Sequence, residues 1–302
     1  MNYNLITILG PTAVGKTYLA AQLANHFNGE IISADSRQVY RRMDIGTGKD
    51  ISDYNVDGKT IPYHLIDVIE PKEEFNLFLF NKYFYETFNN LTLCGKTPFL
   101  VGGTGLYLHS ILRGYELNKV DFNETRYKEL DEYEITDLSE KLKKINPSLH
   151  NTTDLLIKER IIRAIMITEK ENDKELLKKS DINSLTIGIW LEREEIKKKI
   201  TARLKHRSQN GMIEEVKKLI NEGISFERLN LFGLEYKFIG KYLNGELSYN
   251  DMHQKLNSAI HSFAKRQMTW FRKMEKEGIV IHWINGANYE EARQIISTNY
   301  SV

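Results

Sequence analysis

The 302-residue chain is 41% hydrophobic and 27% charged, with a formal net charge of +1. That balance excludes a disordered or fibrous chain, and a single cysteine, Cys94, excludes an internal disulfide framework or a cysteine cluster for zinc. No apolar run reaches the length of a membrane span, and the chain enters a strand-like run at once, without the basic and long apolar regions of a signal peptide, so a soluble cytoplasmic protein is the expectation.

Residues 3–9 read as a buried strand, short, apolar and β-branched. A helix is predicted over about 16–27, with Leu19, Ala20 and Leu23 on one side. Residues 30–34 give a second short strand and 63–69 a third, 75–93 a long helix, and 97–103 a strand running into a glycine turn. Residues 104–114 then read as a helix ended by Gly114. Strands alternating with helices predict an α/β fold, a parallel sheet flanked by helices. From 115 the chain becomes charged and helical, until strand character returns at 184–193. The expected organisation is therefore a core of 1–114 plus 184–302 with a helical insertion over 115–183. From Glu194 the core is helical to about Lys276, and 278–284 is a last short strand. There are no repeats and no low-complexity linker.

Residues 10–17, GPTAVGKT, fit G-x-x-x-x-G-K-[ST] between a predicted strand and a predicted helix. In such a P-loop, glycines let the backbone N–H groups curl round a phosphate, and the helix N-terminus adds its dipole. The cradle residues are Gly10, Pro11, Thr12, Ala13, Val14, Gly15, Lys16 and Thr17. Lys16 brings charge to the terminal phosphate, and the Thr17 hydroxyl is placed for Mg²⁺. The motif secures a phosphate and leaves its owner open, with ATP or GTP as its usual cargo. Asp35 ends the second strand, where open α/β sheets bind ligands. It reads as a general base, as a metal holder through water, or as a helix cap with Gln38 at capping-box spacing. Thr104 offers a hydroxyl beside the first cradle, or serves as a helix N-cap.

Charge is segregated along the chain. Between Met252 and Met274 there is no Asp or Glu, while Lys255, Lys265, Arg266, Arg272 and Lys273 are basic. Residues 196–207 are likewise without acids, and 121–140 are acid-rich. This reads either as a basic face for a polyanion or as amphipathic helices with solvated lysines.

The stretches GPTAVGKT, GEIISADSRQVYRRMDIGTGK, YHLIDVIEP, LVGGTGLYLHSILRG, RIIRAI and AKRQMTWFR occur in this order. Together they resemble the tRNA dimethylallyltransferase (tRNA isopentenyltransferase) family, over about residues 5–272. The resemblance implies a P-loop fold and a Mg²⁺-dependent transfer of the dimethylallyl group from dimethylallyl diphosphate. The acceptor it implies is N6 of the adenosine 3′-adjacent to the anticodon, in tRNAs reading codons that begin with U. It assigns Lys16, Asp35 and Thr104 to catalysis, with Asp35 as the acceptor for the N6 proton, and Arg203 to the diphosphate. It assigns Asp35, Ser36, Arg37, Gln38 and Thr104 to the tRNA anticodon stem-loop. Within the insertion it adds Arg126, which alone also reads as a surface ion pair, and Glu159, Arg160, Ile161, Ile162 and Arg163. A monomer is the expected state.

Two stretches depart from the family pattern. DLLI, residues 154–157, stands where a His-Pro-Asn-Asp motif is usual, and GLEY, 233–236, stands for Gly-Leu-Gly-Tyr. Glu235 is therefore expected to add negative charge near the RNA. Three alternatives compete: prenylation of a free adenine nucleotide, which needs neither the insertion nor the acid-free helix; a binding protein that has lost catalysis, against which Lys16, Thr17, Asp35 and Thr104 all count; and a small-molecule kinase, which nothing beyond the P-loop supports.

Overall fold

The computed structural model describes residues 3–117, 124–146, 158–169 and 179–300. The chain divides into two compact units, Met1–Gly114 with Ser180–Val302, and Tyr115–Lys179. In chain order the elements are β1 (Leu5–Leu9), α1 (Lys16–His26), β2 (Gly29–Ala34), a short 3₁₀ turn (Ile51–Tyr54), a two-stranded hairpin of β3 (Asn55–Val56) and β4 (Lys59–Thr60), β5 (Tyr63–His64), α2 (Leu77–Leu93), β6 (Thr97–Gly102) and α3 (Gly105–Leu112). The second unit holds α4 (Glu124–Asp131), α5 (Ile135–Ile145) and α6 (Lys158–Glu169). The first resumes with β7 (Ser184–Trp190), α7 (Arg193–Gln209), α8 (Met212–Asn221), α9 (Phe226–Leu229), α10 (Leu234–Leu243), α11 (Tyr249–Lys276), β8 (Ile281–Asn285) and α12 (Tyr289–Asn299).

Six strands form one parallel sheet in the order β5-β2-β6-β1-β7-β8. Residues of β1 and β6 are buried throughout, as expected of inner strands covered on both faces. Alternation divides the apolar residues between two cores. Ile6, Ile8, Ile31, Phe99 and Val101 face Leu19, Leu23 and Ile296, while Leu5, Leu9, Ile32 and Leu100 face Phe80, Phe84, Leu108 and Phe271. A third core lies among α7, α8, α10 and the first half of α11, and includes Leu204, Val216, Tyr236 and Leu256. The insertion has its own small core of Leu130, Leu138, Leu142, Ile161, Ile162, Ile165 and Met166. Among the described residues no helix is long and apolar enough to cross a membrane.

The third expected strand is much shorter than 63–69. Leu65 and Asp67 take positive φ, 63° and 55°, which no continuous strand of L-residues tolerates, so pairing stops at His64 and resumes only as a bridge between Tyr40 and Ile69. The helical stretch after Glu194 is not continuous either: it breaks into five helices, with Gly211 (φ 96°) and Gly233 (φ 125°) among the breaks.

Candidate active site

Strand register builds the site. Gly102 of β6 pairs with Leu9 of β1 on one side and with Ala34 of β2 on the other. The residues that follow, Gly10, Asp35 and Gly103, therefore leave the sheet side by side at its carboxyl edge, where α/β folds bind ligands. Beyond Gly10 the loop curls through Ala13 (φ 66°) and Gly15 (φ 88°) into α1, the kind of left-handed turn from which anion-binding nests are made.

Lys16 and Thr17 open α1, the side chain of Val14 packs into the core beneath the loop, and Thr17 is half-buried. Lys16 reaches back over the loop and donates from Nζ to the carbonyl of Pro11 at 2.6 Å. Desolvation lowers its pKa to about 8; Arg203 pushes the same way and Asp35 opposes. Lys16, Asp35 and Arg203 thus share one electrostatic neighbourhood. Arg203, on α7, pairs with Asp50 and lies 3.4 Å from the carbonyl of Gly48.

Asp35 caps no helix, because residues 36–39 are turn. Its Oδ1 accepts the backbone N–H of Arg37 at 2.8 Å, an Asx turn, while Oδ2 has no hydrogen bond among the described residues. Thr104 sits at the N-cap of α3, yet its hydroxyl caps nothing there. Oγ1 instead accepts the backbone N–H of Ser36 at 3.1 Å, and the Thr104 N–H donates to the carbonyl of Ala34 at 3.2 Å. Thr104 therefore clamps the segment that carries Asp35. Gln38 donates to the carbonyl of Gly48 at 3.1 Å, and Arg37 donates to the carbonyl of Leu231.

Sequence reasoning singled out none of three further side chains that shape this edge. Gln267 of α11 is buried; Oε1 accepts the N–H of Thr12 at 2.9 Å and Nε2 donates to the carbonyl of Gly103 at 2.8 Å. A Cβ at position 103 would collide with that amide. Glu215 of α8 accepts the N–H groups of Asp44, Ile45 and Gly46 at 2.7–2.9 Å and the hydroxyl of Tyr236 at 2.6 Å. The Lys49 side chain, wholly buried, spends its three N–H donors on the carbonyl of Tyr40 (2.6 Å), on Asp44 (2.9 Å) and on Asp67. The only available signal was that Lys49 and Gln267 lie within the recognised stretches; Glu215 lies outside them.

The acid-free stretch of α11 is two-sided. Met252, Leu256, Ile260, Ala264, Gln267, Phe271 and Met274 are buried, and Lys255, Lys265, Arg266 and Arg272 are exposed. In the insertion, Arg126 is held by Glu129 at 2.7 Å and Glu169 at 2.8 Å, and Arg163 pairs with Glu159 at 3.1 Å. The expectation that Ile161 and Ile162 contact tRNA is corrected for their side chains, which are fully buried in the insertion core because they form the apolar stripe of α6. The side chain of Arg160 and residues 154–157 lie outside the described residues. Glu235 is corrected too: its carboxylate is turned inward, 19% exposed and 3.6 Å from Arg207.

Comparison with known proteins identifies the relatives of the chain. The family model described as IPP transferase matches residues 38–274, and that described as isopentenyl transferase matches 3–61. The chain is 50% identical to tRNA dimethylallyltransferase 1 of Geotalea uraniireducens, over 99% of both chains. It is 52% identical to the protein of that name from Geotalea daltonii, over 95% of this chain and 92% of the relative. The crystal structure of the tRNA isopentenylpyrophosphate transferase of Bacillus halodurans superposes with a TM-score of 0.70 at 32% identity, covering 98% of this chain and 95% of that one. A eukaryotic dimethylallyltransferase solved acting on tRNA shares the fold, with a TM-score of 0.74 at 21% identity, covering 100% of this chain and 81% of that one. With its P-loop, sheet order and near full-length relatives, the chain belongs to the IPP transferase family.

Proposed function

We propose that this transferase moves the dimethylallyl group of dimethylallyl diphosphate to N6 of the adenosine 3′-adjacent to the anticodon, in tRNAs that read codons beginning with U. The observation that carries the reading is the convergence of the P-loop, Asp35 and Thr104 at the ends of three adjacent strands, in a chain half identical to proteins named tRNA dimethylallyltransferase.

The chemistry follows from the parts. N6 attacks the allylic carbon, the carbon–oxygen bond to diphosphate breaks, and the N6 proton passes to the Asp35 carboxylate. Backbone N–H groups of the P-loop, Lys16 and Arg203 stabilise the charge that grows on the departing diphosphate. Thr104, by fixing Ser36, fixes the carboxylate against the base. Among the described residues no three His, Cys, Asp or Glu side chains gather into a cage. A lone hydroxyl at Thr17 fits Mg²⁺, which is commonly held by substrate phosphates and water rather than by a protein cage. When bound, the ion would neutralise leaving-group charge. The target adenine has to leave its stack to reach Asp35. The segment 36–38, the basic face of α11 and the polar residues Arg126, Glu159 and Arg163 of the insertion are the surfaces offered to RNA. A monomer working in the cytoplasm, where unmodified tRNA is found, completes the proposal.

The isopentenyl transferase match over 3–61 keeps a free adenine nucleotide as the second acceptor to test. The protein is incubated with dimethylallyl diphosphate and Mg²⁺, with unmodified tRNA in one arm and AMP in the other, and the nucleosides are weighed. Prenylated adenosine in digested tRNA is the expected result. Its absence overturns the proposal, and prenylated AMP alone transfers it to the second acceptor.

A further inference from the structure

Between Asp44 and Gly48 the backbone turns back on itself, and one carboxylate from a distant helix sets how it does so. Glu215, in the first turn of α8, accepts three successive backbone N–H groups: Asp44 and Ile45 on Oε2, at 2.8 and 2.7 Å, and Gly46 on Oε1, at 2.9 Å. Oε1 also accepts the hydroxyl of Tyr236 at 2.6 Å. A Cβ at Gly46 would lie 2.6 Å from the tip of the Tyr236 ring, so glycine is what lets the phenol reach the carboxylate. Consecutive amides converging on one anion are a way proteins hold anions; here the anion belongs to the chain itself. Burial first, and the charge of Glu215 second, keep the Tyr236 phenol protonated and therefore a donor.

The turn passes this order on. The Gly48 N–H donates to the carbonyl of Ile45 at 3.2 Å, and the Gly48 carbonyl accepts Nε2 of Gln38 at 3.1 Å. A carbonyl only accepts, so it fixes which end of the Gln38 carboxamide is the NH₂. Oε1 is left for the other side, where the Ser33 hydroxyl donates to it at 3.4 Å. A chain of hydrogen bonds thus runs from α8 through Ile45 and Gly48 to a side chain three residues past Asp35. Lys49 anchors the end of the turn separately, on the carbonyl of Tyr40, on Asp44 and on Asp67, and Asp50 beyond it pairs with Arg203.

We propose that Glu215 is a positioning residue for the RNA acceptor: it shapes the turn of residues 44–48 so that Gln38 offers its carboxamide to the RNA in one orientation. It acts from behind the turn, through Ile45 and Gly48, and touches neither substrate. The inference rests on the reading of Gln38 as part of the RNA surface. Charge at position 215 is what the role needs. An amide there keeps one acceptor oxygen and turns an NH₂ group on backbone donors, so the turn loses its shape.

The test is steady-state transfer by the full-length protein to an unmodified anticodon stem-loop RNA, with dimethylallyl diphosphate saturating, in Glu215→Gln, Gln38→Ala and the double variant. Misaligning one neutral hydrogen bond predicts a rise of about two- to tenfold in KM for the RNA, with kcat kept, in Glu215→Gln. Gln38→Ala raises KM by a similar factor, and the double variant raises it no further, because both changes act on one interaction. Loss of folded protein alone lowers kcat and leaves KM where it was, and that result overturns the inference. Effects that multiply in the double variant overturn it too. Tyr236→Phe removes one bond to Glu215 and repeats the comparison should Glu215→Gln fold poorly: KM rises in the wild-type background and not in Gln38→Ala. Affinity for inorganic diphosphate with Mg²⁺, read by calorimetry, stays unchanged in Glu215→Gln because Lys49 still anchors the approach to Arg203; a parallel loss shows general collapse of the site and overturns the positioning role. A raised KM in Gln38→Ala alone overturns only this inference. An unchanged KM in Gln38→Ala removes Gln38 from the RNA surface, and this inference with it.

Discussion

Gln267 and Thr12 are hydrogen-bonded at 2.9 Å across 255 positions of sequence, and the same Gln267 side chain holds the Gly103 carbonyl at 2.8 Å. One carboxamide thereby locks the two glycine turns together. Gln267→Leu leaves the buried Gly103 carbonyl unmet, at about 1–3 kcal/mol, and the half-buried Thr12 N–H without its acceptor. Denaturant unfolding should record that loss, together with a raised KM for dimethylallyl diphosphate. Gln267→Glu separates the two bonds, since it still accepts from Thr12 and no longer donates to Gly103.

Lys16 is held at a pKa of about 8, against 10.5 for an ordinary lysine. Between these values the unfolded chain binds more protons than the folded one, so this group's contribution to stability rises with pH across that window and is least favourable below pH 8. Lys16→Met should therefore raise the melting temperature of the ligand-free protein at pH 7, by on the order of 2–6 °C, while abolishing diphosphate binding. The gain in melting temperature should shrink by pH 10. Diphosphate affinity of the wild type should fall as pH rises past 8.

Asp35→Asn keeps an oxygen for the Arg37 N–H and removes the base. Transfer should slow by about 10²–10⁴-fold, with diphosphate affinity nearly unchanged in a parallel titration. Equal loss of both would show that Asp35 acts through structure alone.

Lys49→Met should cost about 1–3 kcal/mol, because the buried carbonyl of Tyr40 loses its donor, while the two carboxylates, both well exposed, turn to water. Hydrogen exchange should place the damage in residues 40–67, with β1 and β6 still protected.

Arg126→Ala should weaken tRNA binding and flatten its dependence on salt. The loss of stability should be small, about 0.2–1 kcal/mol, since the ion pairs it leaves are partly exposed. Equal tRNA affinity in variant and wild type would remove the residue from the RNA surface.

The sequence was most informative where structure is local. The P-loop, the β6 glycine turn and the strand–helix alternation are written in neighbouring residues. What it hid was long-range. Nothing around Gln267 distinguishes it from other polar residues of an amphipathic helix, and its role exists only once Thr12 and Gly103 lie beneath it. Lys49 and Glu215 are likewise ordinary charges until a loop wraps round them. The length of β5 was misjudged because an apolar run carries no mark of the positive φ at Leu65 and Asp67. The inward turn of the Ile161 and Ile162 side chains was hidden because a stretch recognised as a whole does not say which of its side chains face the core.

In the second unit the side chain of Lys179 donates to the carbonyl of Tyr115, so the first and last residues of Tyr115–Lys179 are tied to each other. A segment whose ends meet adds little to the entropy of closing the sheet around it, and that cost grows only slowly with its length. Evolution can then lengthen, shorten or exchange the inserted helices as a cassette without disturbing the strands on either side.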